Sequence, residues 1–294
     1  MAAEIGLSAH TKVRRDEPLA AKTTLKVGGR ADIWAEVGSV ADLKALLRWA
    51  QARAVSLRIL GAGSNVLVSD LGVRGVLLRL SGTDIRRVEE RAGKVAAGAG
   101  LPLARLLDWT VRKGWSGLEF LEGIPGTLGG AVRMNAGAWG QALGERLAWI
   151  RCLEPDGAER VLQSGEFQTA YRRLEPLEGR IVIEAGFQLE RDEPIAIGRR
   201  RKEFAARREW MQGMRSAGSA FKNPPGDFAG RLIEEAGLKE RCVGGAGILE
   251  RHANVVVTAP GACASDVRAL LEIVRAEVAA RFGVVLESEI EFIE

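Results

Sequence analysis

Two glycine-rich segments contain the residues of this sequence that are best suited to binding chemistry. The first, Gly61-Ala62-Gly63-Ser64-Asn65, follows an apolar segment, 55–60, that is predicted to be a strand. Successive backbone N–H groups in a tight glycine turn form a concave site for an anion, and Ser64 and Asn65 add side-chain donors. A Rossmann motif is excluded, because Val66 occupies its third glycine position and a strand follows where that motif requires a helix. Alone, the loop is a weak signal, since most Gly-x-Gly turns are only turns.

The second segment strengthens this interpretation. It reads Gly123-Ile124-Pro125-Gly126-Thr127-Leu128-Gly129-Gly130-Ala131 and is followed by Asn135-Ala136-Gly137. A pyrophosphate that the backbone approaches closely requires glycines, because a Cβ atom would block the approach. The alternative, a glycine-rich linker, conflicts with the interleaved apolar residues Ile124 and Leu128. The two segments together therefore predict a site for a dinucleotide.

The elements that must position these loops follow from caps and apolar spacing. Ser39 and Asp42 resemble a capping box, and a helix with apolar residues at helical spacing follows them. A second helix is predicted to begin at Pro102 and to end at Gly114. The remaining predictions are strands at 66–68, 75–80, 148–153 and 181–189, a basic connecting helix at 195–213, a last helix from about 265 to Gly283, and a terminal strand at 284–293.

The composition is that of a globular protein with a mildly basic charge. The chain has 294 residues, of which 47% are apolar and 27% charged, and a net charge of +4. That charge is compatible with an anionic small molecule and with nucleic acid alike. The three cysteines (Cys152, Cys242 and Cys263) are far apart and lack metal-ligand spacing, which predicts neither disulfides nor a metal site. With no signal core or membrane-length apolar run, we expect a soluble, cytoplasmic protein.

Further motifs accompany the glycine segments along nearly the whole chain. They comprise residues 24–29, 61–67, 117–120, 123–132, 135–138, 171–172, 218–224 and 234–239. In sequence and in order, these motifs resemble the UDP-N-acetylenolpyruvoylglucosamine reductases. The long glycine motif and the Gly218-Ser219-Ala220-Phe221-Lys222-Asn223-Pro224 motif are the specific ones.

The resemblance implies an α+β fold. It consists of two FAD-binding subdomains of the vanillyl-alcohol-oxidase (PCMH) type and a smaller α+β C-terminal lobe that completes the substrate site. The expected bounds are 1–80 and 81–195 for the two subdomains, 196–213 for a connecting helix and 214–294 for the substrate-binding domain. FAD would be held non-covalently, because no histidine lies in the glycine loops. The expected FAD contacts are Gly61, Gly63, Ser64, Asn65, Gly123, Ile124, Pro125, Gly126, Gly129, Gly130, Asn135 and Gly137.

The resemblance also implies the reaction. NADPH would reduce FAD, and hydride would then pass to the enolpyruvyl group of UDP-N-acetylglucosamine enolpyruvate, giving UDP-N-acetylmuramate for peptidoglycan synthesis. Ser219 matches the family's proton donor, Arg172 its catalytic arginine and Glu289 its catalytic glutamate. Each has a simpler interpretation, which is a turn serine, a solvated arginine or an exposed strand glutamate.

Three further residues are expected to bind the substrate: Tyr171, Lys222 and Asn223. Lys222 and Asn223 could equally stabilise their own loop. The sequence departs from the family at Arg173-Leu174, where a serine is common two places after the arginine, and at Thr23 and 255–258. Tyr171 is the only tyrosine of the chain. The tyrosine of the loop that closes over substrate in the longer subtype is therefore absent, and the chain resembles the shorter subtype.

Two other functions compete with this one. A flavin oxidase or dehydrogenase of the same fold is disfavoured by the joint presence of Arg172, Ser219 and Glu289. A nucleic-acid-binding protein is suggested by the basic runs 199–202 and 207–208. Acidic residues interrupt these runs and no aromatic stacking motif accompanies them, so they are predicted to form a solvated helix face.

Overall fold

The computed structural model describes residues 2–294, which form seven α-helices and twenty-one strands. The helices are α1 (Ala2–Ile5), α2 (Val40–Ala52), α3 (Leu103–Lys113), α4 (Leu128–Arg133), α5 (Pro194–Arg208), α6 (Ala229–Glu235) and α7 (Ala264–Phe282). The strands are β1 (Lys12–Pro18), β2 (Arg30–Val37), β3 (Leu57–Ile59), β4 (Val66–Val68), β5 (Val73–Leu80), β6 (Val88–Arg91), β7 (Lys94–Gly98), β8 (Trp115–Ser116), β9 (Gly137–Ala138), β10 (Gln141–Ala142), β11 (Leu147–Leu153), β12 (Glu159–Gln163), β13 (Gln168–Ala170), β14 (Arg173–Glu175), β15 (Ile181–Phe187), β16 (Glu190–Arg191), β17 (Ser216–Ser219), β18 (Cys242–Val243), β19 (Ala246–Leu249), β20 (His252–Thr258) and β21 (Glu291–Ile293).

The helix boundaries follow from local capping chemistry. Ser39 Oγ accepts a hydrogen bond from Asp42 N (3.0 Å) at the start of α2, which satisfies one of the donors that a helix start leaves open. The second half of the predicted capping box is not formed, because the Asp42 carboxylate accepts hydrogen bonds from Ser8 and Thr11 instead. Gly114 ends α3 in the left-handed conformation (φ 69°), as glycine does at many helix ends.

The chain divides into two compact units. The described residues of the first unit are 2–14, 34–62 and 76–212, and the second unit comprises 15–33, 63–75 and 213–294. Neither unit is continuous in sequence. A four-stranded sheet has the order β1–β2–β5–β3, in which β3 and β5 are parallel.

The first unit is built around a five-stranded sheet with the order β12–β11–β15–β7–β6. All its neighbouring strands are antiparallel. The central strand β15 is almost entirely buried, as expected for a strand covered on both faces. The leucines that line one face of α3, Leu103, Leu106 and Leu107, are buried in the core of this unit.

The second unit contains the sheet β17–β20–β19–β18 and the parallel pair β21–β4. Its core combines α6, α7 and β20 with residues from distant parts of the chain, including Leu25, Val27 and Leu67. The buried face of α7 consists of Ala264, Val267, Leu270, Leu271, Val274 and Val278. These residues recur at helical spacing, which is the pattern that predicted this helix.

The terminal segment differs from its prediction. Only Glu291–Ile293 forms a strand, rather than all of 284–293. Val285 is 74% exposed, and Ser288 forms an isolated antiparallel bridge with Phe221. The segment 284–293 is therefore not one continuous ladder, because it pairs first with residues near Phe221 and then with β4.

Candidate active site

Ser219 ends strand β17 in the second unit, and its surroundings fix its backbone. It lies opposite Val255 of β20. In the next residues, Ala220 N donates to Asn254 O (2.8 Å). The Asn254 side chain accepts from Phe221 N (2.9 Å) and donates to Phe221 O (2.8 Å). Asn254 is buried, so these hydrogen bonds are protected from water and hold the serine segment in one conformation.

Glu289 lies on the segment that pairs with the one after Ser219. Glu289 N donates to Ala220 O (2.9 Å), and Lys222 N donates to Glu287 O (2.8 Å). Asn65 fixes the other side, because its Nδ2 donates to Glu289 O (2.8 Å) and its carbonyl accepts from Glu291 N (3.0 Å). Two of the three predicted catalytic residues, Ser219 and Glu289, are thus carried by neighbouring antiparallel segments of one unit.

Lys222 and Asn223 both make contacts within their own unit. Lys222 Nζ forms an ion pair with Glu287. Asn223 Oδ1 accepts a hydrogen bond from Ala229 N (3.1 Å) at the start of α6. The Lys222 side chain therefore links its loop to the terminal segment, and the Asn223 side chain links the same loop to α6.

Arg172 belongs to the first unit and has a left-handed backbone conformation (φ 57°). Its Nη1 donates to Gly137 O (3.1 Å), and its guanidinium lies 5.1 Å from the ring centroid of Tyr171. Tyr171 is 52% exposed. A positive φ in a residue other than glycine costs energy and persists only where the surroundings impose it, which identifies this position as constrained.

Asn135 helps to impose that conformation. Its Nδ2 donates to Ala170 O (2.9 Å), two residues before Arg172, and its Oδ1 accepts from Gly144 N (2.8 Å). Asn135 is buried. The sequence predicts Asn135 as an FAD contact, whereas the structure shows its side chain holding the loop that leads to Arg172.

The two glycine segments approach each other at Gly61 and Thr127 in the first unit. A Cβ atom on Gly61 would lie 2.7 Å from Thr127 Oγ1. Gly126 O accepts a hydrogen bond from Leu103 N (3.0 Å), which anchors the second segment to α3. Ile124 N donates to Leu121 O (3.0 Å), and Pro125 is exposed. Converging backbone turns of this kind fit the pyrophosphate of a dinucleotide.

The glycines of the second segment differ in the space around them. A Cβ atom on Gly129 would lie 2.9 Å from Ala99 Cβ. A Cβ atom on Gly130 would have Thr127 Oγ1 as its nearest neighbour, at 3.7 Å, which is an ordinary contact distance. Gly130 is exposed. The fold itself therefore requires a small residue at 129, whereas the protein atoms around 130 leave room for a Cβ atom.

Gly63, Ser64 and Asn65 belong to the second unit. Gly63 has φ 70°, and a Cβ atom there would lie 2.3 Å from Lys22 O. Its carbonyl accepts from Thr24 N (2.9 Å), which lies in the first family-like motif of the sequence. Ser64 is partly buried. The first glycine turn is thus fixed by the segment around Thr24.

Glu119 is a buried carboxylate beneath the second glycine segment. It accepts hydrogen bonds from Gly117 N (2.7 Å), Ser116 Oγ (2.9 Å) and Arg200 Nε (3.0 Å). Burial alone would raise the pKa of Glu119, but the hydrogen bonds outweigh it and hold the pKa below its usual value. The carboxylate therefore ties the chain before Gly123 to helix α5.

Sequence reasoning missed Asn254, Glu119 and Arg208. Glu119 lies in the 117–120 motif, but neither its role nor that of Asn254 follows from the sequence without knowledge of which segments meet. Arg208 was assigned to a solvated helix face, and this was wrong, because its Nε is buried. Which side of a basic helix faces solvent depends on what packs against it, and charge patterning alone does not reveal that.

The described part of the chain contains neither a cluster of metal ligands nor a membrane-spanning helix. Among residues 2–294, no group of three or more His, Cys, Asp and Glu side chains is arranged to hold a metal ion. Over the same residues, no helix combines the length and the apolar character needed to cross a membrane.

The chain is similar to known proteins over nearly its whole length. Residues 31–163 match the FAD binding domain family, and residues 210–293 match the family described as UDP-N-acetylenolpyruvoylglucosamine reductase, C-terminal domain. The UDP-N-acetylenolpyruvoylglucosamine reductase of Heliobacterium modesticaldum is 42% identical over 95% of this chain and 90% of its own length. That of Moorella thermoacetica is 40% identical over 99% of this chain and 96% of its own length.

A solved structure agrees with these matches. The crystal structure of UDP-N-acetylenolpyruvylglucosamine reductase from Thermus caldophilus has a TM-score of 0.83 and 37% identity, over 97% of this chain and all (100%) of the other. The predicted fold class is confirmed as an α+β fold with an FAD-binding domain followed by a C-terminal domain of the reductase family.

Proposed function

This chain belongs to the UDP-N-acetylenolpyruvoylglucosamine reductase family, and from this premise we propose that it reduces UDP-N-acetylglucosamine enolpyruvate to UDP-N-acetylmuramate with electrons from NADPH. FAD, when bound, accepts hydride from NADPH and delivers it to the enolpyruvyl double bond. The observation that supports this best is the pairing of the segments that carry Ser219 and Glu289. It places the serine and the glutamate on two segments of one unit that pair with each other just beyond Ser219.

In this proposal, side chains of the protein stabilise the negative charge that develops on the substrate and supply the proton. Hydride addition to the terminal alkene carbon leaves negative charge on the carbon that bears the carboxylate. Arg172 binds that carboxylate and stabilises the charge. Ser219 donates its proton to the same carbon, which completes the addition of hydride and proton. Glu289 acts with Ser219, by stabilising the enol or relaying the proton.

The glycine segments hold FAD in this proposal. The proposed contacts are Gly61, Gly63, Ser64, Asn65, Gly123, Ile124, Pro125, Gly126, Gly129, Gly130, Asn135 and Gly137. Backbone N–H groups bind the pyrophosphate. For Asn135 and Asn65 the contact comes through the backbone, because their side-chain amides hold Ala170 and Glu289. Tyr171, Lys222 and Asn223 are the proposed substrate contacts.

The proposal includes an organisation and a cellular setting. In this proposal, the subdomains 1–80 and 81–195 bind FAD. Residues 196–213 form a helix that connects them to the substrate-binding domain, 214–294. The product enters peptidoglycan synthesis, and with it cell-wall biogenesis, cell shape and division. We place the enzyme in the cytoplasm, since the proposed substrates are soluble nucleotides and its cysteines are free (Cys152, Cys242 and Cys263).

Purified protein tests this proposal directly. It should release FAD on denaturation, and it should oxidise NADPH only when the UDP-linked enolpyruvyl sugar is present. Formation of UDP-N-acetylmuramate, measured by mass spectrometry, would identify the product. A flavoprotein that is reduced by NADPH but is not reoxidised by this sugar would contradict the proposal and favour another flavin oxidase or dehydrogenase of the same fold.

A further inference from the structure

An arginine–aromatic cluster in the first unit consists of Trp139, Phe204, Arg207 and Arg208. Trp139 lies at the tip of the β9–β10 hairpin with φ 58° and is 45% exposed. Its ring stacks on Phe204, with 6.5 Å between the ring centroids. The guanidinium groups of Arg207 and Arg208 lie 5.1 and 5.6 Å from the Trp139 centroid, which is within the range of cation–π attraction.

Arg208 differs from Arg200 and Arg201 of the same helix, α5, in having no acidic partner. Arg200 forms an ion pair with Glu119, and Arg201 forms one with Glu122. Arg208 Nε is buried without a hydrogen-bond acceptor, and no carboxylate anywhere in residues 2–294 pairs with this guanidinium. A buried cation without compensation is costly, and proteins generally provide it with a partner.

The charge that acts most directly on Arg208 has the same sign. Burial lowers the pKa of the Arg208 guanidinium, and the positive charge of Arg172 lowers it further. Arg172 is held toward this region by its hydrogen bond to Gly137, the first residue of the hairpin whose tip carries Trp139. Two guanidinium groups that repel each other become mutually favourable when an anion binds between them.

The position of Arg208 also connects it with the second glycine segment. A Cβ atom on Gly123 would lie 2.8 Å from Arg208 Cδ. The aliphatic part of the side chain therefore packs on this segment, while the aromatic ring of Trp139 covers the guanidinium. Arg208 is thus held on one side by the proposed flavin loop and on the other by the hairpin next to Arg172.

We propose that Arg208 is the second cation of a two-arginine oxyanion site, which it forms with Arg172 and which binds an anionic group of the UDP-linked substrate. This inference rests on the proposed function and adds a binding residue to the same site. The group is the substrate carboxylate or its diphosphate, both of which match the guanidinium fork. The stem contacts with Gly123 and Trp139 keep the guanidinium oriented before the substrate arrives.

Steady-state and half-reaction kinetics of Arg208 variants test the proposal. Arg208→Gln should raise KM for the UDP-linked enolpyruvyl sugar at least about tenfold, whereas reduction of the flavin by NADPH should change by less than about threefold. Arg208→Lys should recover part of the loss, because it keeps the charge but not the fork. Arg199→Gln is the matched control: Arg199 is exposed on the same helix, and KM should stay at the parent value.

Titrations identify the group and separate the possible failures. UDP-N-acetylglucosamine contains the diphosphate but lacks the carboxylate. Weaker binding of both sugars by Arg208→Gln would assign Arg208 to the diphosphate, and weaker binding of the enolpyruvyl sugar alone would assign it to the carboxylate. Unchanged binding of both sugars, or a loss of binding confined to NADPH, would overturn the inference.

Two other outcomes remain decisive. If the parent does not turn over the substrate, the proposed function fails, and the titrations still decide the role of Arg208. If Arg208→Gln lacks FAD, the measurements are made on FAD-loaded Arg208→Lys, where parent-like binding would overturn the inference.

Discussion

At the scale of single residues, Gly129 and Gly130 differ in whether the surrounding protein atoms exclude a larger side chain. At Gly129, a Cβ atom would collide with Ala99, so any larger side chain would disturb the fold. At Gly130, a Cβ atom would meet Thr127 Oγ1 at the ordinary contact distance of 3.7 Å, and the backbone has no positive φ that would exclude an L-residue. The sequence presents both as members of one glycine motif, and the space around them distinguishes them.

Gly130→Val tests whether FAD approaches this backbone. The side chain should exclude the pyrophosphate, so we expect FAD affinity to fall at least about tenfold. The far-ultraviolet circular dichroism spectrum should stay unchanged, because no protein atom lies closer than ordinary contact distance to a Cβ atom at this position. Gly198→Val is the control, since Gly198 also lies in a helix and a Cβ atom there would meet nothing within 4 Å. Gly130→Val protein with the full FAD content of the parent would show that the ligand does not come close to this residue.

Ser219 provides the second test at this scale. NADPH delivers hydride to the flavin without a proton from serine, whereas reduction of the enolpyruvyl group needs one. Ser219→Ala should therefore be reduced by NADPH at nearly the parent rate, and its reoxidation by the UDP-linked sugar should slow by about a hundredfold or more. Stopped-flow absorbance of the flavin, recorded separately with each substrate, measures the two rates.

Ser219→Cys is the companion variant, because a thiol can also donate a proton. It should recover part of the reoxidation rate. If Ser219→Ala is reoxidised as rapidly as the parent, the proton comes from another group. If both half-reactions of Ser219→Ala collapse, the substitution has disturbed the paired segments of the site, and Ser219→Cys then becomes the deciding measurement.

At the scale of elements, the sequence predicted helices better than strands. Caps, apolar spacing and glycine stops located the start of α2 and both ends of α3 and α7 to within about two residues, because those signals are local. The terminal strand was overextended, since strand pairing depends on partners that are distant in sequence. The exposure of Arg208 on α5 was wrong for the same reason, because Trp139 and Gly123 pack against it.

The link between α5 and the second glycine segment should depend on pH through Glu119. Its pKa is lowered in the folded protein, so the stability it contributes is present above the unfolded-state pKa of about 4.3 and is lost as the pH falls through the folded-state pKa. Glu119→Gln removes the charge and should cost about 1–2 kcal/mol at pH 7. Urea denaturation at pH 7 and pH 3 should show the difference between parent and variant shrinking in acid.

Glu178→Gln is the control for this experiment. Glu178 is exposed, so its removal should leave the free energy of unfolding within about 0.5 kcal/mol of the parent at both pH values. If Glu119→Gln lowered the free energy of unfolding equally at pH 7 and pH 3, the loss of stability would come from a cause other than the lost charge. FAD content measured alongside should fall with Glu119→Gln, because Gly117 and the segment after it lose their anchor.

At the scale of the whole molecule, the resemblance predicted the fold class, and the continuous domain bounds remain a proposal. The second compact unit combines 213–294 with 15–33 and 63–75. No local pattern in the sequence indicates that these short segments belong with the C-terminal part. Their membership follows from burial, because Leu25, Val27 and Leu67 lie in the same core as α6 and α7 and are at most 3% exposed.

This shared core predicts that the C-terminal segment does not fold stably alone. Burial of three aliphatic side chains contributes roughly 5–8 kcal/mol, which is comparable with the net stability of a whole domain, about 5–15 kcal/mol. A fragment of residues 213–294 would also lack β4, the partner of β21, and the Asn65 contacts that hold Glu289. Its amide protons should therefore exchange quickly, and urea should unfold it without a cooperative transition, whereas the same segment in the full chain should be protected.

A milder test keeps the chain intact. Leu67→Ala should destabilise the full protein by about 2–5 kcal/mol, as expected for a core leucine, and should raise the rate of amide exchange first in β21 and around Glu289. Leu71→Ala, at a position 94% exposed on the same segment, should have little effect. A fragment with native-like cooperativity, or equal effects of the two leucine substitutions, would show that 213–294 is an independent domain and that 63–75 is only attached to it.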